Sequence, residues 1–187
     1  MTSLFLDTHL NDILVFILKD GKVVDKREVI NKKNNSEYMF PVIKDLLDTT
    51  NIDEIIVVNG PGSFTSVRLG VTIAKTLAYT LKIPIKTITS LEVLAISSEN
   101  LNVGISDGNG YYLATFDNSY QPIKEYTYVN NSEFINMDNK DEYYLEYKID
   151  AAKVYSFLKN KASINAHSVN PLYIKKIGVE IDKKSNL

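Results

Sequence analysis

The chain has 187 residues, 44% of them hydrophobic and 24% charged, which fits one ordinary globular domain or two small ones. The absence of cysteine excludes disulfides, thiolate nucleophiles and cysteine metal sites, and leaves only His9 and His167 for imidazole chemistry. A net charge of −2 argues against autonomous nucleic-acid binding, and no apolar run of ~18 residues or basic leader predicts a membrane span or secretory signal, so a cytoplasmic location is expected.

In chain order, Ser3–Leu6 predicts a short strand ending at Asp7, and Ile13–Leu18 a second one. Asp20-Gly21 is a hairpin turn, and Val23–Ile30 returns as a strand with Val23, Val24, Val29 and Ile30 as its apolar members. Asn31–Asn35 reads as a polar loop, and Ser36 as the N-cap of a helix. Met39, Val42, Ile43, Leu46 and Leu47 then repeat at i, i+3, i+4, i+7 and i+8, one face of a helix from about Tyr38 to Asp48. Pro41 falls in its first turn, where a missing N–H costs least.

The apolar run Ile55–Val58 delivers Gly60-Pro61-Gly62-Ser63-Phe64-Thr65, and a helix is predicted from about Ser66 to Leu81. Val67, Leu69, Gly70, Val71, Ile73, Ala74, Leu77, Ala78 and Leu81 cover roughly 200° of its circumference, whereas a surface helix needs a stripe of about 100°. The expectation is a helix buried on two sides, once on its sheet and once against another helix. Ile83-Pro84-Ile85 opens another strand, and Thr89-Ser90-Leu91-Glu92 is a capping box for the helix Ser90–Ser98.

The first ~98 residues therefore read as a βββαβαβα unit of the α/β class, a meander running into parallel strands. From Asn102 the pattern changes to predicted strands at Val103–Ser106, Tyr111–Phe116 and Ile123–Val129, a helix at Ala151–Lys159 and a mixed tail from Asn170. Residues 1–98 and 99–187 are the expected lobes. Between Asn102 and Tyr155 stand nine acidic residues against four lysines, with nine of the twelve tyrosines. That negative field repels phosphates, so the tyrosines read as half-exposed strand residues rather than base-stacking platforms.

The glycine turn is no Walker loop, lacking the Lys-Ser/Thr pair, and no dinucleotide fingerprint, having Thr65 where the third glycine would stand. A strand, a tight turn and a helix N-terminus either bind an anion or pack a backbone closely against something. On the first reading Ser63 and Thr65 cap the helix and Arg68 lies one turn inside it. Asp107-Gly108-Asn109-Gly110 is hairpin punctuation, since its glycine and Asn118 occupy the wrong positions for a calcium loop. His9 has no second ligand near it and reads as structural. No catalytic residue and no metal site is predicted.

Gly60-Pro61-Gly62-Ser63-Phe64-Thr65, with Val67-Arg68-Leu69-Gly70-Val71, Ala74-Lys75, Leu77-Ala78, Ile83-Pro84 and Ser90-Leu91-Glu92-Val93-Leu94-Ala95, resembles the signature of the TsaB (YeaZ) family. Leu4-Phe5-Leu6-Asp7-Thr8 is similar to that family's opening strand, and Ser36-Glu37 with Pro41, Ile43, Leu46 and Leu47 to its first helix. Beyond Asn102 the likeness thins to Asp107, Gly110-Tyr111-Tyr112 and Pro171-Leu172-Tyr173. Ser66, Asn35 and His9 depart from a usual glycine, histidine and serine.

The resemblance implies an actin-like (ribonuclease-H-type) fold with a reduced second lobe, in a non-catalytic subunit of the bacterial machinery that makes threonylcarbamoyladenosine in tRNA. It implies support of a catalytic partner, TsaD, with the ATPase TsaE in the complex, tRNA reached only through that complex, and a homodimer when the partner is absent. The expected interface is Tyr38, Met39, Val42, Ile43, Leu46, Leu69, Ile73, Leu77, Ala78 and Leu81. The possible nucleotide or anion turn is Asp7, Thr8, Gly60, Gly62, Ser63, Phe64, Thr65 and Arg68, with ATP or ADP at the subunit interface as the possible ligand. The competing reading is a small actin-like phosphotransferase acting alone, holding nucleotide with Asp7 and the turn. A protease is disfavoured by the missing nucleophile and metal ligands.

Overall fold

The computed structural model describes residues 1–10, 12–30 and 35–174; most of the predicted Asn31–Asn35 loop and the tail past Ile174 lie outside them. Strands β1 (Thr2–Asp7), β2 (Ile13–Lys19) and β3 (Lys22–Val29) form an antiparallel meander. The hairpin between β2 and β3 turns on Asp20 and Gly21, both at positive φ, the geometry that matches strand twist in a two-residue turn. Helix α1 (Asn35–Leu47), β4 (Glu54–Val58), α2 (Phe64–Leu81), β5 (Ile85–Ile88) and α3 (Ser90–Ser98) follow. The sheet order is β3-β2-β1-β4-β5, with β1, β4 and β5 parallel.

The composition of each strand follows from its place. Central β1 and β4 are covered on both faces and are nearly continuous apolar runs. Edge strand β3 alternates with charged residues, and Val23, Val24 and the following Ile30 are exposed, so they are not core members. Leu4, Leu6, Val15, Ile17, Ile55 and Val57 bury one face of the sheet against α1 and α2. Phe5, Phe16, Ile56, Val58 and Ile88 bury the other against α3 and α5 (Ala151–Leu158). Each such side chain contributes roughly 1.5–3 kcal/mol on leaving water.

A second antiparallel sheet is built from β6 (Asn102–Ser106), β7 (Gly110–Thr115) and β8 (Thr127–Asn130). It ends in the short helix α4 (Asn131–Ile135), whose Asn130–Glu133 capping box closes with two 2.8 Å bonds. This sheet packs Val103, Ile105, Tyr112, Ala114 and Phe116 on Leu91, Leu94 and Ala95 of α3, while Val93 and Ile96 face the first sheet. Apart from Glu92, every residue from Ser90 to Ser97 is buried. The helix enclosed on two sides is therefore α3, not α2.

In α2 only the stripe Val67, Gly70, Val71, Ala74 and Ala78 is fully covered along with Ser66, while Leu69, Ile73 and Leu77 are half-buried and Leu81 is exposed. Three boundaries also shift. Helix α1 begins at Asn35, which puts Ser36 inside the helix rather than at its cap and Pro41 in its interior. Helix α2 begins at Phe64, so Phe64 and Thr65 form its first turn. The predicted Ile123–Val129 strand shrinks to Thr127–Asn130, because Ile123, Lys124 and Glu125 are exposed and have no sheet face to bury.

A buried pair ties the last helix to this frame. Lys86 on β5 lies 3.3 Å from Glu54 Oε2 and donates to the carbonyls of Leu158 and Lys159 at the end of α5. Ser3 Oγ donates to the other Glu54 oxygen at 2.7 Å. No described helix is long and apolar enough to cross a membrane. Because Leu94 joins the two sheets through α3, Leu94→Ala is expected to cost about 2–5 kcal/mol in a urea titration. Leu81→Ala, at the exposed end of α2, should stay within about 0.5 kcal/mol.

Candidate functional site

The glycine turn is filled by its own chain. Ser63 N–H, at the N-cap of α2, donates to the His9 carbonyl at 2.7 Å, and a Cβ at Gly62 would lie 2.1 Å from that oxygen. Thr8 Oγ1 donates to the Ser66 carbonyl at 2.7 Å, and a Cβ at Gly70 would lie 2.2 Å from Thr8 Oγ1. Gly60 takes φ of +100°, and the Leu172 carbonyl crosses it where a Cβ would be at 3.1 Å, while Leu172 N–H donates to Asn59. These glycines exist so that the β1–β2 loop and the segment around Leu172 can lie against the turn.

This arrangement overturns the anion-binding reading for several predicted residues. Asp7, Thr8 and Gly60 are buried, and the Ser63 N–H that would face a phosphate is already committed. Ser63 makes no side-chain cap bond; its Oγ meets Ser66 Oγ at 3.2 Å, and Thr65 sits inside the helix. The space beside the Ser63 N–H is held by the His9 carbonyl. Outside it, Phe64 and Arg68 remain exposed, with the Arg68 guanidinium 5.0 Å from the Phe64 ring centre and Tyr173 stacked at 5.2 Å on the same ring.

Beneath the turn lies an unforeseen buried cluster. Asp7 accepts from His9 Nδ1 at 2.7 Å and from the His9 N–H at 3.0 Å through one oxygen, and from the Tyr147 hydroxyl at 2.6 Å through the other. The rings of His9 and Tyr147 meet edge to face at 4.4 Å. Burial opposes charge on Asp7, but the adjoining His9 ring and the hydrogen bonds from His9 and Tyr147 outweigh it and hold the carboxyl below its usual range. Burial, then the adjacent Asp7 carboxylate, pushes the Tyr147 phenol well above its ordinary value. His9 Nε2 is buried and meets no protein partner.

Nothing local in the sequence could have paired Asp7 with a tyrosine 140 positions later. His9, read as structural, does have that character. His167 lies on the other side of α2, edge-on to Tyr79 at 5.1 Å. Among the described residues no group of three His, Asp or Glu side chains could hold a metal ion.

The predicted interface residues divide sharply. Met39, Ile43, Leu46 and Ala78 are at most 2% exposed and belong to the chain's own core, since they are the positions that face the sheet. Val42, Leu69, Ile73 and Leu77 are half-buried on the outer flank, and Tyr38 and Leu81 are exposed. Phe40, at 61% exposed, lies about 200° around α1 from Tyr38 and Val42 and so stands on the opposite side of the helix from this flank.

The mixed sheet with helices on both faces, and a glycine turn packed rather than open, define an α/β protein whose glycine turn serves as a structural joint. A family model described as "TsaD: tRNA N6-adenosine threonylcarbamoyltransferase" matches residues 29–181, and the chain belongs to that family, among its TsaB (YeaZ) relatives. One such relative, the tRNA threonylcarbamoyladenosine biosynthesis protein TsaB of Bacillus subtilis (strain 168), is 38% identical over 111 residues, 57% of this chain and 48% of that protein. The TsaB of Escherichia coli (strain K12) is 31% identical over 100 residues, 51% of this chain and 43% of its own. The chain spans about half the length of the curated relatives it matches. YeaZ from Pseudomonas aeruginosa superposes with a TM-score of 0.72 at 18% identity, covering 92% of this chain and 99% of that one, so the fold is shared.

Two outcomes are expected. Gly62→Ala should not fold at 37 °C, because the clash is with backbone, and circular dichroism would read this out. Because the Asp7 pKa is depressed on folding, its contribution is fully present above the unfolded value of about 3.9 and is lost as pH falls through the lower folded value. The stability gap between wild type and Asp7→Asn, measured by urea titration, should therefore narrow as pH drops below about 4.

Proposed function

We propose that the chain is a non-catalytic subunit in the biosynthesis of tRNA threonylcarbamoyladenosine, docking a catalytic partner of the TsaD type through the outer flank of α1 and α2. The observation that carries this reading is the flank itself. Tyr38, Val42, Leu69, Ile73, Leu77 and Leu81 offer apolar surface on two helices that rest on one rigid sheet. Two helices with such a flank meet an equivalent pair as a four-helix interface. The same flank, self-complementary about a two-fold axis, serves a homodimer when the partner is absent.

A scaffold role is supported by what the site can do chemically. Asp7 and His9 are locked together beneath the turn, His167 packs on Tyr79 of α2, and the chain has no cysteine. Among the described residues, these groups do not bring a nucleophile, a base and an oxyanion donor face to face. ATP or ADP, where one takes part, belongs to the joint between subunits rather than to the filled turn, and the TsaE ATPase and tRNA are reached through the complex. The enzyme alternative predicts Mg-dependent ATP turnover by the purified chain; a flat trace is expected.

The decisive experiment is reconstitution of the tRNA modification with and without this chain, together with flank variants. Leu81→Asp should weaken co-purification with the catalytic partner at least tenfold, equivalent to about 1.4 kcal/mol, while leaving the urea midpoint nearly unchanged, since Leu81 is exposed. Ala78→Asp is not an equivalent test, because Ala78 lies in the core and its replacement unfolds the chain. Full modification in the absence of this chain would reject the proposal.

A further inference from the structure

We propose that Tyr147 is a positioning residue that lets the second sheet fix the placement of α2, and that this is what the reduced second lobe contributes. Every link is a direct contact. The segment carrying Tyr147 is tied to the outer edge of β6, where Tyr144 N–H donates to the Asn102 carbonyl and Gly104 N–H donates to the Tyr144 carbonyl, at 3.0 and 2.9 Å. Three residues on, the Tyr147 hydroxyl donates to Asp7 Oδ2 at 2.6 Å. Asp7 Oδ1 then accepts both the backbone N–H and Nδ1 of His9, which sets the shape of the β1–β2 loop. That loop holds α2 by its first turn, through the His9 carbonyl on Ser63 N–H and the Thr8 hydroxyl on the Ser66 carbonyl.

The relay has little slack. Asp7, Thr8 and His9 are at most 2% exposed, and Gly62 and Gly70 are pressed against the loop at distances that admit no Cβ. A shift of the loop therefore moves the start of α2 instead of being absorbed by empty space. Leu69 and Ile73, on the outer flank, lie within the next two turns of the helix. Removing one hydroxyl from Asp7 lowers the constraint on the loop without removing any side-chain volume from the cluster, since the Tyr147 ring still packs on His9. The importance of the relay to docking rests on the function proposed above; the mechanical coupling itself does not.

The test is amide hydrogen exchange on the full chain, comparing wild type, Tyr147→Phe and, as a control, Tyr126→Phe. Tyr126 also reaches across from the second lobe, with its hydroxyl 3.3 Å from Thr89 Oγ1, but it touches neither Asp7 nor α2 by hydrogen bond. In Tyr147→Phe the amides of Ser63 and Val67 should exchange at least tenfold faster, while Ile56 and Val57 in the central strand keep their wild-type rates. Tyr126→Phe should leave Ser63 unchanged. Unchanged exchange at Ser63 in Tyr147→Phe, an equal acceleration at Ile56 and Val57, or the same effect in Tyr126→Phe each overturns the relay. In parallel, Tyr147→Phe should weaken binding to the catalytic partner by about tenfold relative to wild type. A wild-type chain that shows no binding to that partner overturns the docking reading, and the exchange result still decides the relay.

Discussion

Two backbone approaches set the geometry on which the rest depends, the His9 carbonyl on Gly62 and the Thr8 hydroxyl on Gly70. A strand, a glycine turn and a helix N-terminus expose N–H groups that must find partners. In a ligand-binding protein of this shape an anion supplies them. Here the β1–β2 loop supplies one, the His9 carbonyl on Ser63 N–H, and it can come so close only because side chains are absent at positions 62 and 70. The same closeness makes the start of α2 rigid, and rigidity suits the docking proposed for its outer flank.

The loop in turn needs an anchor, and its anchor is a charge. Burying the Asp7 carboxylate is expensive unless its lone pairs are satisfied, and three donors from His9 and Tyr147 satisfy them. Two of the donors are local, two residues away, and hold the loop's conformation. The third comes from the other end of the fold. The second sheet supplies one hydroxyl at a fixed place, and the parallel bridge between Val103 and Tyr144 is what fixes it.

Much of the first sheet is legible from the chain alone, because periods of 2 and 3.6 are local signals. The meander, the Asp20-Gly21 turn and the Thr89–Glu92 capping box each announce themselves within six residues. What the pattern could not distinguish is which apolar arc faces which layer. Helix α2 carries a wide arc but has one sheet beneath it, whereas α3 is nine residues long and is the helix the second sheet covers. That distinction depends on β6 and β7 returning to α3, a long-range fact. Met39, Ile43 and Leu46 fall into the core for the same reason: periodicity finds the apolar face of α1, and the apolar face is the one the sheet takes, leaving the neighbours Tyr38, Phe40 and Val42 outside.

The site was half legible. The glycine turn stood out, but packing and binding use the same residues, and only the occupant distinguishes them. Tyr147 carried no signal at all, being one of nine tyrosines in an acidic stretch, of which Tyr111, Tyr112 and Tyr128 take the strand positions expected of them and the other six lie in turns, loops or α5. Its hydroxyl matters because of where Asp7 lies, and that position is set by the parallel pairing of β1 with β4. A buried carboxylate, a loop and two glycines hold one end of α2 firmly, and in the proposed function the half-buried flank of Leu69, Ile73 and Leu77 is where that firmness meets a partner.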